Sequence, residues 1–253
     1  MNAFGDHIRQ KRKELGLSTK DVAEVLGLSQ PYISQLENGN RAQLNNIHTV
    51  AKLCNLLGIT LDEGLKLLEG NKPMKSVMID PGHGGNDSGA TYEGYKEKDF
   101  TLKISLALRN YLKDNYSLNV WMTRDKDATL SLNDRTNMAN VKGVDLFVSI
   151  HLNAGGGTGY EDYIYNGSVP SSTINKQDTI HKAVMNRISS YNVKDRGKKR
   201  ADFAVLRQTK MEAVLLENLF IDTDKDLDLL IDNNFINDLV VGIGEGIAKA
   251  LLL

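Results

Sequence analysis

A single cysteine, Cys54, in 253 residues excludes an intramolecular disulfide framework and fits a reducing interior. Excess charge is missing too. With 31 basic and 32 acidic residues the formal net charge is −1, so no global field draws the chain to nucleic acid or an anionic membrane. Nowhere do about 18 apolar residues run together, which excludes membrane insertion by a transmembrane helix. The opening "MNAFGDHIRQKRKELG" lacks the apolar core of a signal peptide. The expectation is synthesis in the cytoplasm, with release by other means if the substrate lies outside. There is no internal repeat and no low-complexity tract. What remains is ordinary globular composition, 41% hydrophobic and 25% charged, enough for one large domain or two smaller ones.

Two textures divide the chain. Residues 1–70 read as short helices with tight turns. Phe4, Ile8 and Leu15 fall at helical spacing, opposite a polar face of Arg9, Lys11, Arg12 and Lys13. Ser18 is an N-cap for Lys20–Leu26, and Gly27 its stop. Ser29 caps the next helix, with Pro31 in its first turn and Gly39 past its end. Leu44–Leu57 and Leu61–Leu68 are further amphipathic segments. "EGNKPMK" reads as a linker, placed at 71–75, and leaves 76–253 as the second domain. Met74 stands where an internal start or a fusion junction would fall. Beyond it, short apolar runs alternate with longer amphipathic ones: Ser76–Ile79, Thr101–Asn115, Asn119–Met122, Ser131–Val141, Leu146–Ile150, Thr173–Tyr191, Val214–Leu216 and Ile236–Leu252. Such alternation predicts an α/β domain with a largely parallel sheet flanked by helices.

In the first region, "STKDVAEVLGLSQPYISQLENG" combines a small residue (Ala23), a turn glycine (Gly27) and apolar contacts at Val22, Ile33 and Leu36. This resembles the helix-turn-helix domain of the phage repressor and Cro class, a small all-α domain of five helices over roughly residues 3–69. The resemblance implies that Gln30, Tyr32, Ser34 and Gln35 face the major groove of DNA, with Asn38, Asn40 and Arg41 near phosphates. Against this stands a near-balanced charge: nine basic and eight acidic residues in 1–73, or +1. A module for dimerisation or protein contact is the alternative. Cys54, among apolar residues, reads as a buried structural thiol, and His7 and His48 as helix-surface residues with no ligand-spaced partner.

In the second region, "SVMIDPGHGGNDSGA" breaks from an apolar run into proline, histidine and glycines. The motif argues against a phosphate-cradling loop, because no Lys–Ser/Thr pair follows and the dinucleotide spacing is wrong. A metal is the better reading. His83 follows one strand and His151, in "VDLFVSIHLNA", ends another, so parallel neighbours bring both imidazoles to one sheet edge. Catalytic zinc takes three protein ligands and keeps a fourth position for water. Glu97 is the best third ligand, with Asp80, Asp87, Glu93 and Asp99 as rivals on spacing. Glu217 ends a third strand in "MEAVLLENLF", where a charge in an apolar run must be paired or functional. It suits the base that takes a proton from the bound water.

"IDPGHGGNDSGA", "KEKDFTLKIS", "MTRDKDATLSLNDRTNMAN", "DLFVSIHLNA" and "KMEAVLLENLFI", in this order over roughly 75–251, together resemble a zinc-dependent N-acetylmuramoyl-L-alanine amidase of the amidase-3 class. The resemblance implies a phosphorylase/hydrolase-like fold with Zn²⁺ on His83, Glu97 and His151 and Glu217 as the catalytic carboxylate. It also implies a substrate, the amide between N-acetylmuramic acid and L-alanine in peptidoglycan. One departure is "NLF" (Asn218–Phe220), in place of the usual small or glycine residue after the glutamate. Asn153 is expected either to orient substrate or a ligand or to form the loop after the strand, and His181 to lie on a helix surface. "NGS" at 166–168 is a chance match to a glycosylation acceptor. The expected protein is a phage or prophage endolysin, or an autolysin, acting on the cell wall after release. The competing readings are a helix-turn-helix transcription regulator whose amidase-like domain senses wall fragments, and a zinc peptidase of the stem peptide.

Overall fold

The computed structural model describes residues 3–39, 44, 46–69 and 74–252. The chain falls into two compact units, residues 1–73 and 74–253. The first holds α1 (Ala3–Glu14), α2 (Thr19–Leu26), α3 (Gln30–Glu37), α4 (Ile47–Leu57) and α5 (Leu61–Glu69). Local chemistry sets the boundaries. Ser18 accepts the Asp21 N–H while the Asp21 carboxylate accepts the Ser18 N–H, and Gly27 ends α2 in the left-handed region. Ser29 accepts from the Tyr32 N–H at the start of α3. The α4 helix starts three residues later than the periodicity predicts, because the Asn46 side chain takes the His48 N–H and caps it there.

Phe4, Ile8, Val22, Ala23, Ile33, Leu36 and Cys54 are buried together. Leu15, expected on that face, is 52% exposed. The helix has ended at Glu14, so its periodicity no longer places residue 15. His7 also departs from expectation. It is half-buried and faces Glu63 of α5 at 3.3 Å, a partner from another helix that spacing along α1 cannot reveal. His48 is exposed, as read. Asn40, Arg41 and linker residues 71–73 lie outside the described residues.

The second unit runs β1 (Ser76–Pro81), β2 (Thr91–Tyr92), β3 (Tyr95–Lys96), α6 (Glu97–Asn115), β4 (Asn119–Met122), α7 (Leu132–Lys142), β5 (Leu146–Asn153) and β6 (Tyr160–Tyr165). It continues with α8 (Ser171–Arg187), β7 (Asp195–Ala201), α9 (Ala204–Arg207), β8 (Glu212–Phe220), α10 (Asp224–Ile231) and α11 (Asn233–Ala250). The six-stranded sheet has the order β4-β1-β5-β8-β6-β7. Every neighbouring pair is parallel except β6 and β8. Alternate residues serve opposite faces. Val77, Ile79, Val148 and Ile150 join Ile104, Leu108, Ile243 and Ile247 in the larger core. Met78, Phe147, Ala213 and Leu215 pack with Ala139, Val205 and Leu206 on the other face. The carboxyl ends of β1, β5 and β8 meet at the centre of one sheet edge.

Strand β8 leaves that edge through a bulge. His151 pairs with Glu217, but Asn153 pairs with Phe220, so β8 carries an extra residue. Leu219 sits there, buried, at φ +73. A non-glycine residue in the left-handed region costs roughly 1–2 kcal/mol. Truncating a buried leucine costs about 2–5 kcal/mol. Leu219→Ala loses the burial and keeps the strain, whereas Leu219→Gly loses the burial and relieves it. The glycine variant is therefore expected to be at least as stable as the alanine variant in chemical denaturation. At a right-handed position glycine would be worse by roughly 0.5–1 kcal/mol, and that ordering here would refute the strain.

Candidate active site

The chain leaving β1 is held by two buried arginines. Arg135 donates to the carbonyls of Pro81 and His83, each at 2.6 Å, and to the Asp80 carboxylate at 2.8 Å. Arg124 donates to the carbonyls of Pro81 at 3.0 Å, Gly82 at 2.8 Å and Lys98 at 3.0 Å. Three successive carbonyls are thus gathered onto guanidinium groups. His83 is held at φ +58, a region few non-glycine residues adopt. The neighbouring glycines make room. A Cβ on Gly82 would lie 2.3 Å from the His151 ring, and one on Gly89 would lie 2.6 Å from a Glu97 oxygen.

His83 offers Nε2 at 3.1 Å from Glu97 Oε2, while its Nδ1 lies 2.8 Å from Asp87 Oδ2. His151 Nδ1 lies 2.9 Å from Glu97 Oε1. Glu97 opens α6, where the helix dipole favours a carboxylate. Its oxygens also accept the backbone N–H of Leu152 and of Ala90, both at 3.0 Å. One donor atom from each of His83, Glu97 and His151 lies within 4.8 Å of the others. Burial opposes charge on all three, yet their mutual attraction wins. Glu97 is held well below the usual carboxylate range by the two imidazoles. His83 is pushed up to about 9 by Glu97 and Asp87, and His151 is raised, mainly by Glu97. A cluster that gathers protons in this way favours positive charge at its centre, and a metal cation would supply it. Two imidazoles and a carboxylate fit zinc.

Glu217 stands beside His151 in the β5–β8 register. Its Oε2 is buried and has no hydrogen-bond partner among the described residues. Burial pushes its pKa up to about 7, with His151 opposing and Glu97 and Glu161 assisting. Glu161, directly across on β6, is in the opposite condition. It accepts from Arg196 at 2.6 Å, Tyr163 at 2.7 Å, Asn153 at 2.8 Å and also from Lys199. Glu217 is therefore the carboxylate left free. A cleft of about 440 Å³ opens over it, with Leu130, Leu132, Phe203 and Val205 as an apolar wall.

The rival third ligands fall elsewhere. Asp80 is buried and saturated by Thr123, Ser149 and Arg135. Asp87 supports His83, while Glu93 and Asp99 are exposed. Asn153 gives its amide to Glu161 and accepts the Ala154 N–H, so both its ends are occupied. His181 corrects the reading of a surface residue. It is buried, with Asp162 at 2.8 Å and Asp195 at 3.1 Å, and ties α8 to β6 and β7. Its partners come from strands too polar to be seen as strands. Neither Arg124 nor Arg135 is marked as functional by spacing along the chain. Their signal is a charge that the strand end or the buried helix face must pair. In the first unit, Gln30, Gln35 and Asn38 are exposed and Tyr32 and Ser34 half-buried. Gln30 donates to Thr19 at 3.2 Å, and Asn38 accepts from Arg9.

A parallel sheet with two imidazoles and a carboxylate at its carboxyl edge, and an unpartnered carboxylate beside them, has the donor set of a metal-dependent hydrolase. The chain belongs to the N-acetylmuramoyl-L-alanine amidase family, which matches residues 77–249. A helix-turn-helix family matches residues 8–64. The chain is 49% identical over 181 residues to an endolysin of Bacillus phage SPP1, covering 71% of this chain and 67% of the endolysin. It is 48% identical to the sporulation-specific N-acetylmuramoyl-L-alanine amidase of Bacillus subtilis (strain 168), covering 71% and 69%. The solved catalytic domain of CwlV, an N-acetylmuramoyl-L-alanine amidase from Bacillus(Paenibacillus) polymyxa var. colistinus, superposes with a TM-score of 0.65 at 36% identity. That match covers 70% of this chain and 98% of the solved one.

Arg135→Met leaves Asp80 buried without its counter-charge, and unfolding in denaturant should show a loss of about 3–5 kcal/mol. Arg135→Lys keeps the charge but lacks the fork that reaches both carbonyls. It should recover stability in part and still bind metal more weakly than the parent in a competition titration. A methionine variant as stable as the parent would contradict the clamp.

Proposed function

We propose that the chain hydrolyses the amide joining N-acetylmuramic acid to L-alanine in peptidoglycan, with zinc on His83, Glu97 and His151 and Glu217 as the catalytic carboxylate. The observation that carries this reading is the buried, unpartnered Glu217 oxygen beside a His–Glu–His donor set. When bound, zinc polarises the scissile carbonyl and brings the pKa of a water toward neutrality. Glu217 takes the proton of the attacking water and, because burial favours its protonated form, returns that proton to the departing alanine nitrogen. Asp87 orients the His83 ring from behind. The apolar wall suits the methyl groups of the lactyl and alanyl units. The relatives' printed names, an endolysin and a sporulation-specific amidase, support a lytic role on the cell wall. A wall-fragment sensor has no use for a buried carboxylate without a partner, which costs stability.

Glu217→Ala should keep its zinc and lose wall hydrolysis by about 10²–10⁴-fold. His83→Ala should lose both. Normal lysis by the first variant, or full zinc occupancy in the second, would overturn the assignment. A new amino-terminal L-alanine on digested walls separates an amidase from a stem-peptide hydrolase.

For the first unit we propose contact with DNA through α3, by Gln30, Tyr32, Ser34, Gln35 and Asn38, with Arg41 outside the described residues. Its fold and family support this reading. The electrostatics limit it, because Arg9 and Arg12 turn onto the buried Glu37 and Lys11 onto Glu14. Binding in a mobility-shift assay should therefore be weak and fall only shallowly with salt. Gln35→Ala should abolish it. No shift at low salt would return the unit to a protein-contact role. No helix of the described residues is long and apolar enough to cross a membrane.

A further inference from the structure

We propose that the outer margin of the sheet beside α7 is a second subsite, which binds the glycan strand next to the scissile unit. The proposal rests on the amidase reading and extends it along the polymer. Strand β4 is a sheet edge. Trp121, the only tryptophan of the chain, lies there in register with Met78 and is 41% exposed. Across from it on α7, Met138 is 39% exposed and Val141 is 89% exposed. With Met78, Met122 and Leu130 these residues line a groove of about 610 Å³. Exposed apolar side chains grouped along a groove are a candidate binding surface.

The groove adjoins the reaction cleft at one shared wall residue. Leu130 lines both. Ser131 and Leu132, at the start of α7, line the cleft, while Met138 and Val141, in its last turns, line the groove. Eleven helical residues span about 16 Å at 1.5 Å each, so α7 forms one side of a track leading away from Glu217. A polymer whose amide is seated at Glu217 must leave the cleft along some surface, and this one adjoins it.

The chemistry of the track selects the sugar chain over the stem peptide. The peptide carries carboxylates and needs a cation to receive them. Among the described residues lining the groove, Lys142 is the only cation, and it sits over the Trp121 ring, 3.6 Å from the centroid. Asp134 is engaged by Ser131. The rest is an indole, thioethers, aliphatic groups and the neutral amide of Asn137. A pyranose ring presents an apolar C–H face that packs against the exposed part of the indole and the aliphatic groups beside it, and N-acetyl methyl groups fit among flexible methionines.

Because Trp121 is the sole tryptophan, its emission reports on the groove directly. The probe is the β-1,4-linked tetrasaccharide of N-acetylglucosamine, which carries no stem peptide and so lacks the lactyl–alanine amide. Titration into the full chain should give a saturable change in emission. Trp121→Ala and Val141→Asp should each raise KM on polymeric walls about tenfold. Their rates on a soluble single-disaccharide muropeptide should be unchanged. Val141 is almost fully exposed, so its variant tests the groove without touching the core. A flat titration overturns the proposal, as does an equal loss on both substrates in either variant. An emission change with free stem peptide and none with the tetrasaccharide overturns the choice of glycan. Failure of the parent to cleave the muropeptide would instead overturn the amidase reading, and the fluorescence titration would still stand as a test of the groove.

Discussion

The active edge depends on Glu97 standing between two imidazoles. Each of its oxygens meets one ring and one backbone N–H, so the carboxylate cannot turn without losing both. That single placement requires α6 to begin at residue 97, and β1 and β5 to be parallel neighbours. It also requires glycine at 82 and 89, where a Cβ would strike a ring or the carboxylate itself. The loop after β1 could not hold such a shape alone. Arg124 and Arg135 hold it by drawing the carbonyls of residues 81–83 to one side, and Asp80 balances Arg135 from within the sheet.

These buried polar contacts fix position more than they add stability. A buried ion pair roughly offsets its own desolvation, but removing one partner is costly. The Asp80–Arg135 pair therefore acts as a constraint that one substitution cannot relax gradually. The same holds at Glu161, where four donors immobilise a carboxylate one strand away from Glu217. The contrast between the two glutamates is the useful feature. They are opposed in register on adjoining strands, yet one is saturated and kept charged while the other is desolvated and left open. The two carboxylates thus differ in proton affinity within one site, a divergence consistent with the roles proposed for them.

The apolar strands were legible because burial on both faces writes continuous hydrophobic runs. The runs at 76–79, 119–122, 146–150 and 214–216 lie within β1, β4, β5 and β8, and His83, His151 and Glu217 were found at or just beyond their ends. Helix ends of the first unit were legible where caps wrote them, at Ser18, Gly27 and Ser29. The third member of the donor set was not separable from its rivals by spacing. Only the fold shows Asp80 saturated, Asp87 behind His83, and Glu93 and Asp99 turned to solvent. Strands β6 and β7 were missed for a related reason. "YEDYIY" buries two acids and "DRGKKRA" is almost wholly polar, so neither writes an apolar run. Their partners come from other elements, and His181 was misplaced with them.

Basic runs in this chain carry the same lesson about partners. "RQKRK" in α1 writes a basic face along the sequence, and "RGKKR" in β7 is as rich in cations. In the fold, Arg9 and Arg12 close on Glu37, and Arg196 and Lys199 close on Glu161; both glutamates are buried. A buried carboxylate needs counter-charge from outside its own segment, and a long basic side chain can deliver it while its stem covers apolar surface. Charge patterning along a helix or an edge strand therefore counts cations without saying which are free. In the first unit that difference separates a helix-turn-helix fold from a freely basic face.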